Sequence, residues 1–152
     1  MAALSPHFTL QEMISSDTAV KKGFPNIPDD LECMNLVRLC ADLLEPIREI
    51  IGKPMHINSG FRADRVNAAV GGMQYPPSAH LFGRAADFVV PGMDLSTAWD
   101  KIKNENLPFD QLIWETNRFG SQWIHASVPE YGIKPRRIVL YLQKRENRKY
   151  LG

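Results

Sequence analysis

The chain has 152 residues, 18 Lys+Arg against 17 Asp+Glu, and a formal net charge of +1. A hydrophobic fraction of 44% with 23% charged residues is that of an ordinary globular domain with a real core, and the near-neutral balance excludes general polyanion binding, so no nucleic-acid partner is expected. No apolar run approaches the roughly 20 residues that cross a bilayer, and the opening MAALSPHFTLQEM lacks a basic stretch followed by an apolar one, so no secretory signal is read and synthesis in the cytoplasm is expected.

The first part of the chain, 7–52, reads as a helical lead-in. Thr9 and Glu12 in TLQE form a capping-box pattern that starts a short helix. The main helix lies in NIPDDLECMNLVRLCADLLEPIREIIG, where Pro28 suits a first helical turn and two aspartates follow near the positive end of the dipole. Cys33, Leu36, Val37, Cys40, Leu43, Leu44, Ile47, Ile50 and Ile51 fall on one apolar stripe. A core role is favoured over a partner-binding face. Pro46 should kink this helix. Cys33 and Cys40 are the two cysteines. Seven helical residues separate them by roughly 10 Å, beyond the reach of a disulfide. They read as small buried apolar side chains, and a zinc site built on cysteines is excluded by count.

The core region, 53–143, alternates short strands with loops. PMHINS reads as a strand, RADRVNAAV as a short helix ended by Gly71-Gly72, and RAADFVV as a strand. DLSTAWDKIKN reads as a helix capped by Asp94 or Ser96. QLIWET and QWIHASV form a hairpin through NRFGS, and RRIVLYL is a last strand. Helices first and then a small, mostly antiparallel sheet indicate an α+β fold in a single domain, 1–152. The locally basic KRENRKY, within 144–152, reads as a solvated tail, with contact to an anionic polymer as the alternative.

Four histidines are present: His7, His56, His80 and His125. His7 carries no further signal, and His56, inside a strand, reads as packed or hydrogen-bonded. His80 and Asp87 frame LFGRAA, in which Gly83 permits a tight turn. Asp87 stands at the head of the apolar run FVV, a costly place for a carboxylate unless something compensates its charge. In WIHAS, the residues Trp123, His125 and Ser127 alternate with Ile124, Ala126 and Val128. The second set should face the core and the first a cleft. Two imidazoles and one carboxylate are a common ligand set for catalytic zinc. Spacing alone is weak evidence for a metal and favours ordinary structural histidines, since a His and an Asp seven apart with a distant His often occur by chance. Glu115 would project onto the His125 face if the hairpin pairs in an even register, where it could carry a proton; a surface glutamate near a turn is the alternative. Arg62 follows a strand and a Ser-Gly turn, where a guanidinium could bind a carboxylate or hold a polarised carbonyl; a surface or helix-start arginine is the alternative.

SGFRADRVNAAVGG, SAHLFGRAADF, FDQLIWE and WIHAS, in that order, closely resemble the zinc D-alanyl-D-alanine carboxypeptidase-like peptidases of bacteria and phages, which share a fold with the Hedgehog signalling domain and vancomycin-resistance D,D-dipeptidases. FTLQEMISSDTA and NLVRLCADLLEPIRE look like that family's lead-in, so the resemblance covers nearly the whole chain. It implies one zinc ion held by His80, Asp87 and His125. It implies that Arg62 orients substrate and polarises its carbonyl, that Ser78 hydrogen-bonds near the substrate or the ligand loop, and that Trp123 lines the cleft. The implied activity is that of a zinc peptidase, a D,D-carboxypeptidase or an endopeptidase of endolysin type, on peptidoglycan stem peptides. A monomer, reaching the wall by phage-type release or virion delivery, is expected. One position departs from the pattern: Gln122 stands three residues before the last histidine, where several relatives have an acidic or histidine catalytic residue. Either Glu115 serves as the base from the neighbouring strand, or the protein is a non-catalytic zinc-containing wall-binding or phage structural module. The approach MQYPPSAH is longer than usual and bears two prolines that could reshape one wall of the cleft.

Overall fold

A computed structural model describes residues 2–143; the basic tail over 144–152 lies outside the described residues. A short antiparallel ribbon of β1 (Ala3–Ser5) and β2 (Phe8–Thr9) leads into α1 (Leu10–Ile14). The box in TLQE forms as expected: the Thr9 side chain accepts from Glu12 N at 3.2 Å, and Glu12 Oε2 accepts from Thr9 N at 3.0 Å. Two amides that the first helical turn leaves without partners are thereby satisfied. A second short helix, α2 (Asp17–Lys22), is capped by Ser16.

The main helix differs from expectation at its start and in its middle. Asp29 caps α3 (Asp30–Leu39), accepting from Glu32 N at 2.7 Å while Glu32 returns a bond to Asp29 N. Pro28 therefore precedes the cap instead of occupying the first turn. Before Pro46 the helix widens into a π-type turn, Cys40–Leu44, which runs directly into α4 (Glu45–Ile51). A proline ring collides with the carbonyl four residues earlier, and widening the preceding turn lets the helix axis continue. Leu36, Leu39, Cys40, Leu43, Leu44 and Ile47 are fully buried. Val37, assigned to the stripe, is exposed and Leu39 takes its place. One residue step rotates about 100° around a helix, so Val37 lies more than a quarter-turn from the centre of a stripe formed by Leu36, Leu39, Cys40 and Leu43. Both cysteines are free thiols, Cys40 buried and Cys33 half-buried.

Five strands form the main sheet in the order β3-β4-β6-β5-β7: β3 (His56–Ser59), β4 (Ala85–Val89), β6 (Gln122–Ser127), β5 (Gln111–Thr116) and β7 (Ile138–Gln143). All neighbours are antiparallel except β5 and β7. The segment after β6 runs back before β7 begins, and Arg136 fastens it there with Nε and Nη2 on the Asp110 carboxylate. Helices α5 (Asp64–Ala69) and α6 (Leu95–Ile102) complete the α+β arrangement. Asp94 stands at the start of α6 but makes no side-chain capping bond among the described residues.

Alternation along the strands separates two faces. Ala86, Phe88, Leu112, Ile124, Ala126 and Val128 join Leu36, Leu43, Ile47, Trp99 and Ile102 in one apolar core. Each large side chain buried there contributes about 1.5–3 kcal/mol relative to exposure. Asp87, Glu115, Trp123 and His125 occupy the other face. His56 does not pack as its strand position suggested: it is exposed, because Ile57 takes the inward position on β3. No helix among the described residues is long and apolar enough to cross a membrane.

Candidate metal centre

Pairing of β4 with β6 sets Asp87 directly opposite His125, with both side chains on the face away from the core. His80 comes from a single 3-10 turn, Ala79–Phe82, that enters β4. Ser78 caps this turn, its Oγ accepting from His80 N at 3.3 Å. Gly83 closes it in the left-handed region, φ 72°, and a Cβ there would stand 2.6 Å from the Glu32 carbonyl oxygen of α3. Only glycine allows both the turn and this close helix.

The donor atoms converge. His80 Nε2 lies 3.3 Å from Asp87 Oδ1, and His125 Nδ1 lies 2.9 Å from the same oxygen. The three residues are 2%, 8% and 7% exposed for His80, Asp87 and His125. One ligand atom from each falls within 4.8 Å of the others. Ligand atoms about 2.0–2.1 Å from a tetrahedral zinc stand about 3.3 Å apart, so the spacing suits such an ion.

Hydrogen bonding fixes which nitrogen of His80 faces the others. Its Nδ1 is 2.7 Å from the Gly60 carbonyl oxygen. A carbonyl can only accept, so Nδ1 carries the proton and Nε2 presents a lone pair. Burial, reinforced by the Arg62 guanidinium, pushes the His80 pKa down to about 4, so the ring is neutral near pH 7. Burial would raise Asp87, but the charge attraction of the two imidazoles and the His125 hydrogen bond outweigh it and hold the carboxyl well below its usual range. With His80 neutral, its Nε2 lone pair faces a carboxylate oxygen, an arrangement that a bound cation would compensate. Burial also disfavours charge on His125, yet its bond to Asp87, with the Asp87 and Glu115 charges, raises its pKa. The donor set fits a divalent cation, with one imidazole tied to a backbone carbonyl as metal-binding histidines commonly are.

The remaining candidates lie around these three. Glu115 stands opposite Trp123 in the β5–β6 register, and its Oε1 is 3.8 Å from His125 Nδ1. Trp123 is half-buried on this face. Arg62 is half-buried, its backbone N donates to the His80 carbonyl at 3.1 Å, and its charge acts on both imidazoles. Gln122 alternates onto the other side of β6, where it is exposed and its Nε2 donates to Thr116 Oγ1 at 3.3 Å. It does not share the face of Asp87 and His125. His7 lies outside this group and pairs with Glu45 at 2.6 Å. Two supporting residues carry no signal in the sequence: Gly60, read only as part of a turn, and Asn26, which bonds the loop on either side of Arg62.

A family model, Peptidase M15, matches residues 6–127, a span that includes every residue of this site. A search of curated proteins found no match.

Proposed function

The chain belongs to the Peptidase M15 family, and from that premise we propose that it is a zinc-dependent peptidase that hydrolyses the stem peptides of bacterial peptidoglycan. The observation that carries this reading is the convergence of His80 Nε2 and His125 Nδ1 on one Asp87 oxygen, at 3.3 and 2.9 Å, with Glu115 Oε1 3.8 Å from His125 Nδ1. His80, Asp87 and His125 would hold the ion. Zinc in such a site supplies Lewis acidity to water and to a scissile carbonyl.

The protein's own groups account for the rest. Glu115 Oε1 takes the proton of the attacking water and returns it to the departing amine. Its placement one strand from His125 supports that role. Arg62 binds the substrate's carboxylate or polarised carbonyl, and its guanidinium stabilises the oxygen on which negative charge develops. Ser78 holds the ligand turn through His80 N, and Trp123 forms an apolar wall beside Glu115. The protein acts as a monomer on the wall, reached by phage-type release or virion delivery.

Mass spectrometry of purified peptidoglycan digested with the zinc-loaded protein tests the proposal. Free D-alanine identifies carboxypeptidase action, and cleaved stems or cross-links identify an endopeptidase. Unaltered muropeptide masses after digestion overturn the reading.

A further inference from the structure

The loop that carries Arg62 is strung between two side chains. On the inner side is His80, whose Nδ1 donates to Gly60 O at 2.7 Å and whose carbonyl accepts from Arg62 N at 3.1 Å. On the outer side is Asn26. Its Nδ2 donates to Phe61 O at 3.0 Å and to Ile14 O at 2.8 Å, and its Oδ1 accepts from Ala63 N at 2.8 Å. Both amide hydrogens and the oxygen are used: one hydrogen and the oxygen on the residues immediately before and after Arg62, the other hydrogen on Ile14 at the end of α1. Only a carboxamide meets this pattern: a carboxylate lacks the two donors, and a hydroxyl offers one.

Asn26 is itself held. Pro25 and Pro28 restrict the backbone on both sides of it. Two residues earlier, the Phe24 ring lies 5.2 Å from the guanidinium of Arg65 on α5. The segment therefore grips the Arg62 loop and the helix that follows it from outside. A long, rotamer-rich arginine presents its guanidinium reproducibly only from a fixed backbone, and an ångström of misplacement can cost two orders of magnitude in rate.

We infer that Asn26 is a positioning residue, setting the Arg62 guanidinium for substrate, an inference that rests on the peptidase reading. It touches neither substrate nor metal and acts through the backbone at 61 and 63. The test is a double-mutant cycle on the zinc-loaded protein with Asn26→Ala, Arg62→Ala and the pair, read together with amide hydrogen exchange. Asn26→Ala is expected to lower kcat/KM at least about tenfold while one zinc per chain is retained. In the Arg62→Ala background the same change should cost less than about twofold. Exchange should accelerate at the Arg62 amide and stay unchanged at Ile124 and Ala126 in β6. If Asn26→Ala does not fold, Asn26→Asp, which keeps the acceptor for Ala63 N and loses both donors, carries the same cycle. Equal losses in both backgrounds, or unchanged exchange at Arg62, overturn the inference. If the wild type hydrolyses nothing, the peptidase reading fails, and Arg62 exchange then decides the positioning role: acceleration upholds it and no change overturns it.

Discussion

The Gly60 carbonyl oxygen receives the Nδ1 proton of His80 at 2.7 Å, while a Cβ on Gly60 would lie 2.3 Å from the Met13 carbonyl oxygen. Glycine at this position lets α1 close against the loop and so brings the carbonyl to the imidazole. Gly60→Ala must push the loop away from Met13. It should destabilise the protein by about 1–3 kcal/mol, as overpacking does, and weaken zinc binding by about 10–100-fold, as loss of a histidine's supporting bond does. Urea unfolding and zinc titration measure the two effects.

Glu115→Gln keeps the size and burial of the side chain and removes its capacity to take a proton. Zinc stoichiometry should be unchanged, while kcat falls by about 10²–10⁴-fold, the usual contribution of a general base. Gln122→Glu should not restore the lost activity, because residue 122 is exposed and faces Thr116. Steady-state hydrolysis of a stem peptide by the single and double variants checks both outcomes.

What could be read in the sequence was local or periodic. The carboxylate of Asp87 at the head of an apolar strand, and the alternation in WIHAS, placed two candidate ligands on one face. The even hairpin register put Glu115 beside Trp123. The pieces that escaped depend on contacts distant in sequence. His80 meets Gly60 across 20 residues, and Asn26 meets Phe61 across 35. No pattern of residue types announces that a turn glycine will receive an imidazole proton. The parallel pairing of β7 with β5 also follows from a long return segment, not from the strand itself. Within the main helix, the π-type turn before Pro46 shows how a known steric conflict can be resolved by widening a turn.

Asp110 provides a pH-dependent contribution. Its carboxylate accepts from Arg136 N, Nε and Nη2, and the Arg136 hydrogen bonds hold its pKa below the ordinary value against the opposing effect of burial. A depressed folded-state pKa stabilises the fold above the unfolded value, about 3.9, and that stability disappears as pH falls through the folded value. With Arg136 largely exposed, the pair is worth about 0.5–1 kcal/mol. Asp110→Asn should therefore lower stability near pH 7 and make little difference below the folded pKa. Urea unfolding of both proteins from pH 7 to pH 2.5 follows the loss.

Tyr141 separates stability from chemistry. Its hydroxyl accepts from Trp99 Nε1 at 2.6 Å, and Trp99 is 1% exposed. Tyr141→Phe leaves a buried indole N–H without that acceptor and should cost about 1–3 kcal/mol. The cluster lies on the core side of the sheet, so zinc content and kcat/KM should be unaltered. Thermal unfolding and the hydrolysis assay decide the matter together.

If His80, Asp87 and His125 hold one catalytic zinc ion as proposed, removing one of them must empty the site. Metal content per folded chain tests it most directly, measured by inductively coupled plasma mass spectrometry after zinc loading and removal of excess. One zinc per chain is expected in the wild type and in Glu115→Gln, and essentially none in a folded His125→Ala variant. A wild type that retains no zinc, or a His125→Ala protein that retains a full equivalent, would contradict it.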